Sequence, residues 1–567
     1  MTKKLLSLLL VLALVLAMGS AALADYYSNL LPVVTTYAPE FKDKTVILHS
    51  NDVHGAIDGY AYMPALREKL LSQGATDVLV VDAGDFSQGG IYVSVNKGKA
   101  AIDMMNAAGY DVVTLGNHEF DYGFDKLMEN LKDAKFQAIC CNVYNDATGE
   151  TILPPSTIIE TKSGMKIGFV GVETPETASK VNPGLITEIG FSHFSKLYDA
   201  VQAAVDAIRG ECDLVIGLTH LGVGVESASN GYRSVDLLNT VDGIDFAIDA
   251  HSHTVMSSAK YDLPIQSTGT KFAYVGVVVI DNATRMIQSN FLLSTASQEK
   301  DEEVAAAAQE IIDAVDEQYG TPFATSEVRL EGERIPSRTS ETNMGDLITD
   351  ALVWKMLKEG GIENAEPNQV VSILNGGSIR ATIEAGDVSM KSINAVQPFG
   401  NTVAVIYVTG EELLQALEAS TFSTPEQIGA FPQTSGIEWT LDCTKPYAKG
   451  DVYMLNGKET TYFAPDSIQR VTITAINGQP FDPTATYAVV TSNFIAEGGD
   501  TYNVFNRAYV AGTGFDTGVS LDQTVMQYVT EALDGKITAE QYGQPRGSLT
   551  MILPEVTEEE EAVEPAA

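Results

Sequence analysis

Residues 115–123 read LGNHEFDYG and put three polar side chains, Asn117, His118 and Asp121, just past the apolar run Val112-Val113-Thr114-Leu115. A β-branched apolar run that stops at a glycine predicts a buried strand, and open α/β sheets place their chemistry on loops just past such ends. The plan recurs along the chain. Residues 45–50 (TVILHS) lead into Asn51-Asp52-Val53-His54-Gly55, and 78–81 (VLVV) into Asp82-Ala83-Gly84-Asp85. Residues 214–218 (LVIGL) end in Thr219-His220, and 246–248 (FAI) in Asp249-Ala250-His251-Ser252-His253. A lone histidine or aspartate at a turn is usually structural. Five strand-like runs ending alike point to one constellation.

Carboxylate oxygen and imidazole nitrogen without thiolate suit divalent zinc, manganese or iron. The inventory exceeds one ion. Asp52, His54, Asp85 and His253 could hold the first, and Asp85, Asn117, His220 and His251 the second, with Asp85 as the bridge. Two cations about 3.5–4 Å apart clamp a phosphoryl group and lower the pKa of a shared water, so the expected reaction is hydrolysis of a phosphate ester.

In this order and spacing, NDVHG, DAGD, GNHEFD, THLG and DAHSH resemble the calcineurin-like metallophosphoesterase domain of the 5′-nucleotidase family. That family includes bacterial periplasmic UDP-sugar hydrolase/5′-nucleotidases and vertebrate ecto-5′-nucleotidase. The resemblance implies the ligand assignment just given and adds a dyad of His118 and Asp121 beside the ions. His118 would stabilise charge on the phosphoryl oxygens or the leaving alkoxide, with Asp121 holding its tautomer. Some members carry Gln where this chain has His253, a change that bears on metal preference without removing a ligand.

In the second half, 338–345 (RTSETNMG), 374–380 (LNGGSIR), 397–400 (QPFG), 492–494 (SNF) and 497–500 (EGGD) together resemble the nucleotide-binding C-terminal domain of the same family. This implies a base sandwiched between Phe399 and Phe494, stacking that contributes roughly 1–3 kcal/mol per base. It also implies ribose hydroxyls on Asp500, substrate contact near the phosphate from Asn375, and phosphate contacts from Arg380 and Arg338. Members often carry a second basic residue close to Arg338. This chain has Thr339 and Ser340 there, which argues against affinity for di- or triphosphate moieties.

The elements that must position these residues alternate. Strand-like runs, including 166–172 and 274–280, interleave with amphipathic stretches such as 62–71 and 99–108, which implies a layered α/β sandwich over 45–296. The resemblance makes it a four-layer α/β/β/α metallophosphoesterase sandwich. Residues 173–175 (ETP) and His193 carry no assigned chemistry. Residues 297–319, rich in Ala and Glu and free of Gly and Pro, predict a helix within a linker over 297–325. A second, mixed α/β nucleotide-binding domain is expected over 326–552, and it contains no histidine.

The ends are different in kind. Residues 1–24 carry Lys3 and Lys4, an apolar run over 5–18 and Ala22-Leu23-Ala24, which predicts a cleaved signal peptide and a secreted or periplasmic product. Residues 25–44 read as a lead-in and 553–567 as an acidic disordered tail. Losing 24 residues and two lysines leaves 543 residues with a formal charge of −42. Such a chain repels nucleic-acid polymer, and no later segment reaches the roughly 18 apolar residues of a spanning helix, so no stable membrane insertion is expected. Cys140, Cys141, Cys212 and Cys443 are too sparse for a disulfide framework. Cys140 and Cys141 read as small buried hydrophobes on opposite faces of a strand, with a bridge from either to Cys212 left open.

The expected protein is thus a secreted two-metal 5′-nucleotidase acting on a small nucleotide, the nucleoside 5′-monophosphate. The alternatives within the family are a 2′,3′-cyclic-nucleotide phosphodiesterase and a UDP-sugar pyrophosphohydrolase. An exported, non-catalytic nucleotide-binding protein is the alternative of another class, and it predicts a broken ligand set.

Overall fold

The computed structural model describes residues 40–554 apart from 225–226, 229–230, 258–262, 361, 363, 456, 510 and 512–513. The expected signal peptide, and the tail from 555 onward, lie outside the described residues. Two six-stranded sheets form the first half. One runs Met286–Ser294, Tyr274–Asp281, Lys44–Ser50, Asp77–Asp82, Val112–Thr114, Gln137–Ile139. The other runs Val255–Met256, Ile265–Thr268, Phe246–Asp249, Leu214–Thr219, Lys166–Val172, Ser156–Glu160.

Central strands here are apolar at nearly every position because both of their faces are covered. Along Lys44–Ser50, Val46 and Leu48 join a core with the helices Tyr62–Ser72 and Lys99–Ala108, while Ile47 joins the core between the sheets. On the second sheet Phe169 and Ile216 face that shared core, whereas Val170 and Val215 pack on the helix Ser195–Arg209. The layers are therefore helix, sheet, sheet, helix. His49 ties the two sheets directly: burial pushes its pKa down to about 4, and the neutral ring donates from Nε2 to Gln266 Oε1 at 2.8 Å.

The second half has a five-stranded mixed sheet in the order Pro432–Ser435, Val370–Asn375, Thr486–Ser492, Thr402–Thr409, Gly514–Ser520. The helices Asn343–Glu359 and Leu521–Glu531 cover one face, and Gly410–Ser420 covers the other. The connecting helix begins at Glu302 rather than 297. Thr295–Ser297 forms a short 3-10 turn, and the Asp301 side chain then accepts from Val304 N at 2.9 Å and caps the helix. Val304 and Ala308 pack into the first domain. Residues 322–325, expected in the linker, lie instead in the strand Pro322–Ser326, which pairs with Gly386–Ser389 and Lys536–Ile537 of the second domain.

The cysteines are free thiols, so the bridge to Cys212 does not form. Cys140 packs in one apolar cluster and Cys141 in another, as neighbours with opposed directions must.

A methyl group at Gly276 would stand 1.9 Å from His49 Nε2, between backbone and a ring already held by Gln266. Gly276→Ala is expected to lower stability by about 1–3 kcal/mol, read as a fall in midpoint in denaturant unfolding.

Candidate active site

The donor residues sit on loops at strand ends, and the backbone there is strained. Asp52, His54, Asp85, His251 and His253 have φ of 49°, 45°, 63°, 73° and 55°, in the left-handed region that non-glycine residues avoid. Such conformations persist only where surrounding contacts fix them. Asn51 supplies one set: its Nδ2 donates to Asp52 Oδ2 at 2.6 Å and to Gly269 O at 2.9 Å, while its Oδ1 accepts from Thr268 N at 2.9 Å. Glu119 supplies another. Its buried carboxylate accepts from the backbone N–H groups of Asp85, Phe86, Ser87 and Gly116 at 2.6–3.0 Å, locking the Asp85 loop to the His118 loop. Gly116 allows the approach, since a Cβ there would fall 2.4 Å from Asp85 Oδ1.

Two groups of donor atoms converge. Asp52, His54, Asp85 and His253 form one, and Asp85, His220 and His251 the other, each with ligand atoms within 4.8 Å of one another. Asp85 is common to both. Asn117 joins the second group, with Oδ1 3.0 Å from His251 Nδ1. All seven residues expected to hold metal are thus gathered in one place.

The donor chemistry fits divalent cations. Outer acceptors fix three of the rings: His54 Nδ1 faces Gln88 O at 3.1 Å, His220 Nδ1 faces Ala83 O at 2.7 Å, and His251 Nε2 faces Glu176 Oε2 at 3.0 Å. Each ring then turns its other nitrogen inward, where it would meet a cation as a lone pair. The buried His220 Nε2 stands 3.1 Å from Asp85 Oδ2 without hydrogen-bond geometry. His54 Nε2 and His253 Nε2 lie 3.0 Å apart, and His251 Nδ1 turns its lone pair to the Asn117 amide oxygen. Nitrogen and oxygen atoms gathered this closely form a set that a divalent cation would hold together.

Charge coupling within the cage is strong: burial acts downward on His220, but Asp85, Asp52 and Glu173 outweigh it and push its pKa well above the usual value. Burial pushes the Asp52 carboxyl up to about 7 against the opposing pull of His220. For Asp85, burial acts upward but His220, His118 and His54 outweigh it, and the carboxyl is held well below its ordinary range. Burial, with Arg334, His54 and Arg380 adding to it, drives His253 well below its usual pKa and keeps the ring neutral.

The cavity above this cage is lined from both domains: by Asp85, Asn117, His118, Asp121, His251 and His253 on one side and by Arg338, Asn375, Arg380, Phe399, Phe494 and Asp500 on the other. Asp52, His54 and His220 are buried and stand outside this lining. His118 Nδ1 is 2.7 Å from Asp121 Oδ2. Phe399 lies 5.7 Å from the His118 ring and carries the Arg380 guanidinium 5.5 Å over its face, so it reaches the dyad itself. Phe494 packs against the backbone of Gly499, where a Cβ would overlap its ring at 2.2 Å. Burial and the neighbouring Arg338 push Arg380 down to about 10, against the raising effect of Asp85 and Asp121.

Sequence reasoning passed over three residues. Glu119 lies inside GNHEFD and was given no role there, although its carboxylate organises both loops. Glu176, next to residues with no assigned chemistry, is buried and partners His251. Arg334 reaches across from the second domain, with Nη1 3.5 Å from His253 Nδ1 and Nε donating to Gln427 Oε1 at 3.2 Å. Only an arginine one helical turn before Arg338 marks it in the sequence.

Residues 45–255 match the calcineurin-like phosphoesterase family, and 322–507 match the 5′-nucleotidase C-terminal domain. The chain is 29% identical over 515 residues to the trifunctional nucleotide phosphoesterase protein YfkN of Bacillus subtilis (strain 168), covering 82% of this chain and 32% of that protein. It is 28% identical over 530 residues to protein UshA of Escherichia coli (strain K12), covering 83% of this chain and 89% of UshA. Its structure resembles the crystal structure of a 5′-nucleotidase precursor from Thermus thermophilus, with a TM-score of 0.72 at 26% identity, over 90% of this chain and 100% of that one.

Because Glu176 holds the outer nitrogen of His251, Glu176→Ala is expected to weaken binding of divalent zinc or manganese by about 10–100-fold, measured by equilibrium dialysis on the folded protein.

Proposed function

Starting from a chain that belongs to the 5′-nucleotidase family and is a metal-dependent hydrolase of phosphoric esters, we propose that it converts nucleoside 5′-monophosphates to nucleoside and phosphate. One observation carries this reading: the donor cage and a set of arginine, aromatic and carboxylate side chains from the other domain line a single cavity. Two divalent cations held by the cage would supply Lewis acidity toward the phosphoryl group and acidify a water.

The chain's own residues do the rest. Arg338 and Arg380 offer fixed positive charge to the phosphate oxygens, and Asn375 reaches the same side. Phe399 and Phe494, both in the cavity lining, would pack against the base, and Asp500 would accept from ribose hydroxyls. The His118 N–H at Nδ1 is donated to Asp121, which leaves Nε2 to carry a proton toward the departing 5′-oxygen. Arg334 adds a third guanidinium to the cavity. It supports a second reading, cleavage of diphosphate esters such as UDP-sugars, by supplying charge that Thr339 and Ser340 do not.

The reading includes export, supported by Lys3, Lys4, the apolar run over 5–18 and Ala22-Leu23-Ala24. Among the described residues no helix is long and apolar enough to cross a membrane. Sequencing of the N-terminus of the secreted product is expected to begin at Asp25.

Product formation followed by chromatography, compared across AMP, cyclic AMP isomers, ATP and UDP-glucose, tests the substrate, with AMP expected to turn over fastest. His118→Ala, at retained metal content, is expected to lower turnover on AMP about 100-fold or more. Near-normal turnover would remove His118 from the reaction.

A further inference from the structure

Asp500 is a buried carboxylate whose partners come from separate parts of the chain. Its own backbone N–H donates to Ser179 O at 2.5 Å, its Oδ2 accepts from Asn375 Nδ2 at 2.8 Å, and its Oδ1 lies 3.4 Å from Lys180 Nζ. Ser179 and Lys180 belong to the short helix Thr177–Lys180 of the phosphoesterase domain. The seam continues at Gly184, whose N–H donates to Glu497 Oε2 at 3.2 Å. The ammonium that faces Asp500 therefore comes from across the domain boundary.

Its surroundings are shaped to hold it. The Lys180 side chain is 13% exposed and that of Asp500 3%. The Lys180 ammonium lies 5.6 Å over the Tyr462 ring, and both charges face Gly429. A Cβ on Gly429 would stand 3.3 Å from Lys180 Nζ and 3.9 Å from either Asp500 carboxylate oxygen. The missing side chain leaves a small polar recess with an acceptor on one wall and a three-proton donor on another. Lys180, Gly429, Asp500 and Phe494 line the same cavity as the arginines.

A vicinal diol matches that pair. Its hydroxyl hydrogens suit a carboxylate and its oxygens suit an ammonium, whereas a deoxygenated sugar offers neither to the pair. Resting on the nucleotide reading above, we infer that Lys180 is a specificity-determining residue: delivered by the phosphoesterase domain, it completes the ribose subsite with Asp500 and selects nucleotides with a 2′,3′-diol. The contact with Asp500 forms only when the two domains meet, so sugar recognition and assembly of the cavity are one event.

The test compares kcat/KM of the metal-loaded enzyme for AMP, 2′,3′-dideoxyadenosine 5′-phosphate and phenyl phosphate. The wild type is expected to prefer AMP to both. Lys180→Met is expected to shrink the preference for AMP over the dideoxy analogue by about tenfold or more, mainly through KM. Lys180→Arg, which keeps the cation, is expected to stay within about threefold of wild type. Lys180→Gln gives the same neutral comparison if the Met variant does not fold. A neutral variant that loses rate on all three esters but keeps the wild-type preference would show Lys180 to be a structural contact only, and the inference would fall alone. A wild type that treats AMP and phenyl phosphate alike would overturn the nucleotide reading and this inference with it.

Discussion

A single carboxylate, that of Asp85, belongs to both donor groups. A shared anion can serve two centres only if it is fixed in position and stays charged although it is removed from water. The fold meets both demands locally. Attraction from the neighbouring imidazoles, His220 foremost, offsets the cost of burying it, and Glu119 pins the loop that carries it by taking up backbone N–H groups from two segments at once. The strained backbone at Asp52, His54, Asp85, His251 and His253 is the cost of turning five donors toward one point. The double sheet makes that cost bearable, since loops rooted in strands buried on both faces cannot relax away.

The second domain enters this scheme from above. Arg334 reaches His253, Phe399 rests on His118, and Lys180 extends the other way to Asp500. Lys391, on the second domain, pairs at 2.6 Å with Asp316 near the end of the connecting helix, whose first turns are packed in the first domain. The cavity is therefore a product of how the halves meet, and neither half holds it alone.

Much of this was legible in the sequence because strand ends repeat. Apolar runs followed by Asp, Asn or His announce themselves at fixed places, and the structure gathers Asp52, His54, Asp85, Asn117, His220, His251 and His253 as those runs imply. The helices Tyr62–Ser72 and Lys99–Ala108 follow from periodicity. Two boundaries did not. The connecting helix starts at Glu302 because Asp301 is the residue whose side chain caps it, although 297–301 have helix-compatible composition. Residues 322–325 pair with strands more than sixty and two hundred positions away, which no local pattern records. Glu119, Glu176, Arg334 and Lys180 were missed for the same reason. Each acts on a residue distant in the chain or on backbone groups, so its role exists only in three dimensions. The open cysteine bridge resolves too, as Cys141 and Cys212 pack against the same apolar cluster as free thiols.

All seven histidines lie before residue 254, whereas the arginines, phenylalanines and Asp500 that line the cavity come after residue 333. The donor cage and most of the opposite cavity wall are thereby encoded in separate stretches of gene, with Lys180 as the point where the first reaches into the second. A substitution in the later stretch can therefore reshape the cavity without removing a metal donor, whereas one at Lys180 disturbs the wall from the side that carries the cage.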